Sequence, residues 1–220
     1  MEGSDAVRAF FLRIGYLAMS LRKLIEIFSC HTNLPIKIKD VVAQIVEMGI
    51  QDNITYVGVE LDVGVIRGQF VRVSTERHAV YGEPVYSAEI YYASNQEIEW
   101  QRLVVCKELI HLFDTEAAST KTQEELEHLM EMIALSPELQ FQKDDGFKVI
   151  TDKIATLYAI CILFPKEARD ALIDPYEQGL IKANDIARIA ELPEKYIRLA
   201  MTEAWNKIYD TLMSNQVSTR

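Results

Sequence analysis

An α+β fold, a small antiparallel sheet in a mostly helical chain, is what this sequence predicts, and three observations point to it. Residues 53 to 92 are dominated by Val, Ile, Tyr and Thr and punctuated by Asp62-Val63-Gly64 and Tyr81-Gly82-Glu83-Pro84, the residue chemistry of short strands joined by turns. The segments on either side repeat apolar residues at helical spacing and break at Pro, Gly or Asp. The chain has 220 residues, 49% hydrophobic and 25% charged, enough to bury a substantial core in one domain, or one with a helical appendage.

Taken in order, a long helix is expected over residues 5 to 30, with Ser4 or Asp5 as cap. Arg13, Arg22, Lys23 and Glu26 interrupt its apolar residues, so it reads as a packed amphipathic helix and not a membrane span. Thr32-Asn33-Leu34-Pro35 breaks the chain before a second helix, 38 to 48, that Gly49 ends. Three antiparallel strands are expected near 54–61, 65–74 and 85–92. From Asn95 the chain is helical, with breaks at 114–119, Ser136-Pro137, Asp144-Asp145-Gly146, Asp174-Pro175 and Leu192-Pro193, and a disordered tail from Gln216. The division that follows is 1–50, an N-terminal helical segment; 51–182, the principal domain; and 183–220, a C-terminal helical extension.

Composition narrows the function classes. A net charge of −10 argues against a nucleic-acid surface, which needs clustered Lys and Arg. Three cysteines, Cys30, Cys106 and Cys161, lie scattered in apolar sequence; an odd count without Cys-x-x-Cys reads as buried reduced thiols in a cytoplasmic protein. The acidic start Met1-Glu2-Gly3-Ser4-Asp5 is unlike a signal peptide. His31 and His78 fall in connections, and His128 sits in an acidic amphipathic helix. Asp144-Asp145-Gly146 lacks the spaced oxygen ligands of a calcium loop and reads as a turn. Asn184 to Leu199 has a helix-turn-helix rhythm, but Lys195, Arg198 and Glu203 make a poor basic stripe, so packing is expected there and not DNA reading.

The chemistry concentrates in one helix, Arg102 to Phe113. Lys107, Glu108 and His111 are its only charged or ionisable side chains after Arg102, apart from the thiol of Cys106. Lys107 and His111 lie about 40° apart around the axis, with Glu108 about 60° beyond His111. Three polar groups on one face of an apolar helix need a polar destination, since burying them unpaired costs several kcal/mol. The spacing is one substitution from His-Glu-x-x-His, in which two imidazoles share a zinc and the glutamate serves a zinc-bound water as general base. Here the first histidine is Lys107, whose ammonium has no lone pair to give a metal.

The surroundings extend the likeness. Ala88 to Ala93 is strand-like upstream; about forty residues downstream comes Asp152 to Pro165; Asp185 to Leu199 follows. This order resembles the ImmA/IrrE family of zinc metallopeptidases of phages and mobile elements, over roughly residues 40 to 200. In that family a second helix, Glu-x-x-Ala-x-x-Phe-Ala, supplies the third zinc ligand. By this resemblance Glu108 stands at the general base, His111 at the second histidine ligand and Asp152 at the glutamate ligand. Ala155, Tyr158 and Ala159 match the remainder of the second-helix motif, while Ile110 replaces the usual glycine. The implied fold is a gluzincin-like (zincin) domain.

Two of three implied zinc ligands are thus changed, and both changes point the same way. Asp152 is shorter than a glutamate by about 1.5 Å, one C–C bond. Without a dication, Glu108 and Asp152 would repel one another, and an ammonium at position 107 offsets that charge. The expected function is therefore an inactive pseudo-metallopeptidase, without bound metal, that binds a protein partner; by resemblance the partner is a phage or mobile-element repressor or a stress-response regulator. An active metallopeptidase with a non-standard metal site, built from Glu108, His111 and Asp152 with His128 or Asp114 as a further donor, is the alternative reading. A structural or assembly protein is the third.

Overall fold

The computed structural model of the chain describes residues 19–75, 85–113 and 146–214, and it is a mixed α+β arrangement. Helix α1 (19–29) inserts Leu21, Leu24, Ile25 and Phe28 into the core, the i, i+3, i+4, i+7 pattern of one buried face. Helix α2 (Ile38–Glu47) does the same with Val41 and Ile45. It stops because Gly49 adopts φ 98°, a left-handed conformation that costs glycine little.

Strands β1 (Asn53–Val59), β2 (Gly68–Thr75) and β3 (Val85–Ala93) form one sheet in the order β1-β3-β2. The expectation of three antiparallel strands is corrected here. β2 pairs with β3 antiparallel, Phe70 opposite Ile90, but β1 pairs with β3 parallel, Tyr56 opposite Ile90. The reason lies in the first connection. Asp62 does turn the chain, accepting from Gly64 N through its side chain and from Val65 N and Ile66 N through its carbonyl. Residues 60–67 form too long a link to impose the adjacency that a two-residue hairpin would. The chain skips one strand spacing of about 4.8 Å, and β3 enters the gap. That central place suits β3, whose Ala88, Ile90 and Ala93 are wholly buried.

Helix α3 (Ile98–Ile110) lies against β2 and β3, with α2 and α4 (Gly146–Leu163) also packed on it. Because it is covered on several sides, seven of its residues from Leu103 to Ile110 are buried, and the chain there is apolar nearly all round. A 3-10 turn, His111–Phe113, continues it. Helix α4 buries Ala155 and every residue from Tyr158 to Leu163.

The last helices are α5 (Lys166–Glu177), α6 (Ala183–Ala190), α7 (Glu194–Ala200) and α8 (Glu203–Met213). The expected break at Asp174-Pro175 does not occur: Pro175 is inside α5. It sits in the last turn, where a missing N–H removes one hydrogen bond from a helix already near its end. Gly179, at φ 71°, closes the segment. The Leu192-Pro193 break is present, and Glu191 before it takes φ 49°. Ile186, Ala187, Ala190, Ile197 and Ala200 face the core, so the helix-turn-helix rhythm serves packing.

One hydrophobic cluster contains residues from Leu21 to Trp205, drawing on all three expected segments. Cys106 and Cys161 are buried and reduced, but Cys30 is exposed at the end of α1, contrary to the expectation of three buried thiols. His31 is exposed beside it. Among the described residues, no helix is long and apolar enough to cross a membrane. The expectations for residues 5–18, the breaks at 114–119 and Ser136-Pro137, the Asp144-Asp145 turn, His78, Asp114, His128 and the tail fall outside the described residues.

Candidate functional site

The site begins with a close approach of strand to helix. Gly68 opens β2 directly over α3; a Cβ there would come within 2.3 Å of Val104 Cγ1 and 3.2 Å of Glu108 Oε1. Only a residue without a side chain lets β2 lie so near the polar stripe. Glu108, 2% exposed, is pressed into that seam, and burial of a carboxylate demands a counter-charge.

Lys107 supplies it. Its Nζ lies 2.9 Å from Glu108 Oε1 and 2.6 Å from Asp152 Oδ1. The Asp152 contact is a hydrogen bond donated by the ammonium, and the same ammonium forms the ion pair with the buried Glu108 carboxylate. Asp152 comes from α4, which packs beside α3. His111 ends α3, with Nε2 3.9 Å from both Glu108 Oε2 and Asp152 Oδ1, and its ring tilts against Phe70 of β2 at 6.3 Å between centroids. The four residues singled out in the sequence, Lys107, Glu108, His111 and Asp152, thus converge from two helices.

The electrostatics follow from these distances. Burial would lower the Lys107 ammonium, but the Glu108 and Asp152 carboxylates outweigh it and raise Lys107 above an ordinary lysine. Burial likewise would raise the Asp152 carboxyl; the charge of Lys107 and the hydrogen bond to His111 reverse that and hold it well below the usual carboxylate range. Lys107 therefore stays protonated at neutral pH, and Asp152 ionised. Neither is sealed from water, the side chains being 16% and 31% exposed.

The donor set does not fit a three-ligand zinc site. Glu108, His111 and Asp152 carry lone pairs, but the position facing both carboxylates is held by an ammonium that has none. Among the described residues no group of three or more His, Cys, Asp or Glu is arranged to hold a metal ion.

Sequence reasoning missed a second group on the same helix face. Trp100 lies two turns before Lys107, so Trp100, Lys107 and His111 fall at i, i+7 and i+11 on one stripe. Arg67, just before Gly68, places its guanidinium carbon 3.9 Å from the Trp100 ring centroid. Tyr196 of α7 meets Trp100 edge-on at 5.7 Å, and Lys195 Nζ lies 4.4 Å from the Trp100 centroid and 4.6 Å from that of Tyr196. Burial raises the Tyr196 phenol, which also senses Lys107, Arg67 and Asp152; it stands between the two groups. The helical phase of Trp100 was readable beforehand. The convergence of Arg67 and Lys195 on its ring was not, because neither is near it in sequence. Further along, Arg102 anchors α3 by donating to Ile36 O and Glu191 O and pairing with the Glu191 carboxylate.

No family model, no curated protein and no solved structure matches the chain.

Proposed function

We propose that this chain is a degenerate zincin of the ImmA/IrrE type, in which Lys107 has taken over the charge role of the metal and the cleft serves as a protein-binding, regulatory module. The observation that carries this reading is the position of Lys107 Nζ, between Asp152 Oδ1 at 2.6 Å and Glu108 Oε1 at 2.9 Å. The packing of α3 against α4, with Asp152 facing His111, supports the same reading, since it unites the residues that the family resemblance pairs. A site whose two carboxylates already share an ammonium has less need of a dication, and without one there is no metal-bound water to activate. What it keeps is a shaped, partly polar surface able to recognise a polypeptide. The partner is a repressor or stress regulator, and the setting a phage or mobile element in the cytoplasm.

Zinc content tests this directly. Protein purified without chelator should carry well under one zinc per chain, by elemental analysis. Changing Lys107→His together with Asp152→Glu restores the three-ligand set and should give zinc uptake measurable by titration. Near-stoichiometric zinc in the natural sequence, with Glu108 and His111 among its ligands, would replace this reading by that of an active metallopeptidase with an unusual site.

A further inference from the structure

The Trp100 end of the stripe differs from the Lys107 end in one respect: its cations have no counter-charge among the described residues. Arg67 makes a single side-chain hydrogen bond, Nη1 to Gln96 Oε1 at 3.0 Å, and stacks on Trp100. A guanidinium has five N–H donors, so most of those of Arg67 have no partner among the described residues. Lys195 lies against the Trp100 and Tyr196 rings. Neither cation meets a carboxylate among the described residues. By contrast, Arg72, Arg102, Arg169, Arg188 and Arg198 each have an acidic partner. Two like charges held against one indole repel each other, and Lys195 is accordingly lowered, by burial first and by Arg67 second.

Their positions are fixed from below. The carbonyl of Arg67 accepts from Ala93 N at 2.9 Å, tying it to the end of β3. Gln96, which holds the guanidinium, also bonds back to Arg67 O through Nε2. The aromatic pair is formed between α3 and α7, both anchored in the core. A preorganised, uncompensated pair of cations on an aromatic platform takes an anion, and the guanidinium edge favours a planar one held by two bonds.

We propose that Arg67 and Lys195, over Trp100 and Tyr196, form a carboxylate-recognition site for an acidic side chain of the protein partner. The net charge of −10 repels a polyanion such as nucleic acid at long range, while a short acidic segment enters with little such cost. Tyr196 and Trp100 supply the apolar wall for the methylene groups of a glutamate. The occupant would lie along α3 towards Lys107, joining this site to the cleft. The proposal rests on the protein-binding reading above, but not on the metal-free centre. Zinc content decides the latter and the following titration decides this site, so either can fail alone.

The probe is a fluorescein-labelled, N-acetylated and C-amidated hexapeptide of alternating Glu and Ala, read by anisotropy at low ionic strength. Saturable binding is expected, weakened by about tenfold in Arg67→Gln and in Lys195→Gln and restored by Lys195→Arg, as for a charge-assisted pair. The matched peptide with Gln for Glu should not bind. Lys195 is exposed, so its replacement tests recognition without threatening the fold. The proposal is overturned if the Glu peptide fails to saturate, if both Gln variants bind as the natural protein does, or if the Gln peptide binds equally well. It is also overturned, in favour of a phosphate ligand, if inorganic phosphate displaces the peptide at lower concentration than glutarate does.

Discussion

Arg169 and Lys107 are both cations drawn into the protein, on different helices, and they are satisfied in opposite ways. Arg169, 4% exposed, gives Nε to Ala200 O at 2.6 Å and Nη2 to Thr202 O at 3.4 Å, with Nη1 on Asp170 at 2.9 Å. Two of its partners are main-chain carbonyls: Ala200 O at the end of α7, where orphan C=O groups and the negative end of the helix dipole collect, and Thr202 O at the start of α8. Lys107 instead faces two carboxylates, both side chains, and remains open to water. The first cation staples backbone to backbone. The second balances charge between α3 and α4. Arg169 ties α5 to the backbone that follows α7, whereas Lys107 brings carboxylates of α3 and α4 to one point.

The largest effect that separates them is on stability. Arg169→Ala should cost about 3 kcal/mol, since it strips hydrogen bonds from a charged donor and leaves the buried Ala200 carbonyl without that donor. Arg169→Lys should recover little, because one ammonium cannot span the fork. Urea denaturation measures both. A loss below about 0.5 kcal/mol for the alanine variant, the level of an ordinary surface change, would erase the distinction.

Lys107→Ala should cost less, about 2 kcal/mol, discounted from a fully buried pair because the site is partly wet. The informative comparison is a cycle. Lys107→Met and Asp152→Asn should each destabilise, but the double variant should cost less than their sum by about 1 kcal/mol, as expected of groups in direct contact. Strict additivity would show Lys107 to be an ordinary surface lysine.

How far the sequence alone could reach differs between these two regions for a physical reason. The Lys107 cluster was legible because Lys107, Glu108 and His111 share one helical turn, where spacing fixes which face a residue occupies, and because Asp152 sits at a position the family resemblance assigns. Arg169 was not legible: its carbonyl partners lie thirty residues on, and nothing in a sequence marks a main-chain acceptor. The same limit explains the sheet. Composition located all three strands within a few residues, but strand order depends on what fills the centre, and the burial of Ala88 and Ile90 is a tertiary fact. The Asp174-Pro175 break failed because a proline in a last turn costs one bond and no more. Arg67 and Lys195 escaped notice because their meeting on Trp100 joins three separate elements.

The smallest effect is the most diagnostic, because it has a sign. Between the folded pKa of Asp152, which is depressed, and its ordinary value of 3.8, the unfolded chain binds a proton that the native state refuses, so stability falls as pH falls through that window. For Lys107 the order is reversed. Its pKa is raised from 10.5, so above that value the native state keeps a proton that the unfolded chain has lost, and stability falls as pH rises. The pair therefore contributes fully between these limits and less beyond either. The stability difference between the natural protein and Asp152→Asn should be constant from pH 7 to about pH 5, then shrink by about 1 kcal/mol towards pH 2, an amount kept small by the partial exposure of Asp152. Arg169 does not titrate and two of its three partners are carbonyls, so the cost of Arg169→Ala should vary less across the same range. A difference for Asp152→Asn that is flat to pH 2, or that grows in acid, would mean that the carboxylate is not held ionised by Lys107, and the contrast between the two cations would fall with it.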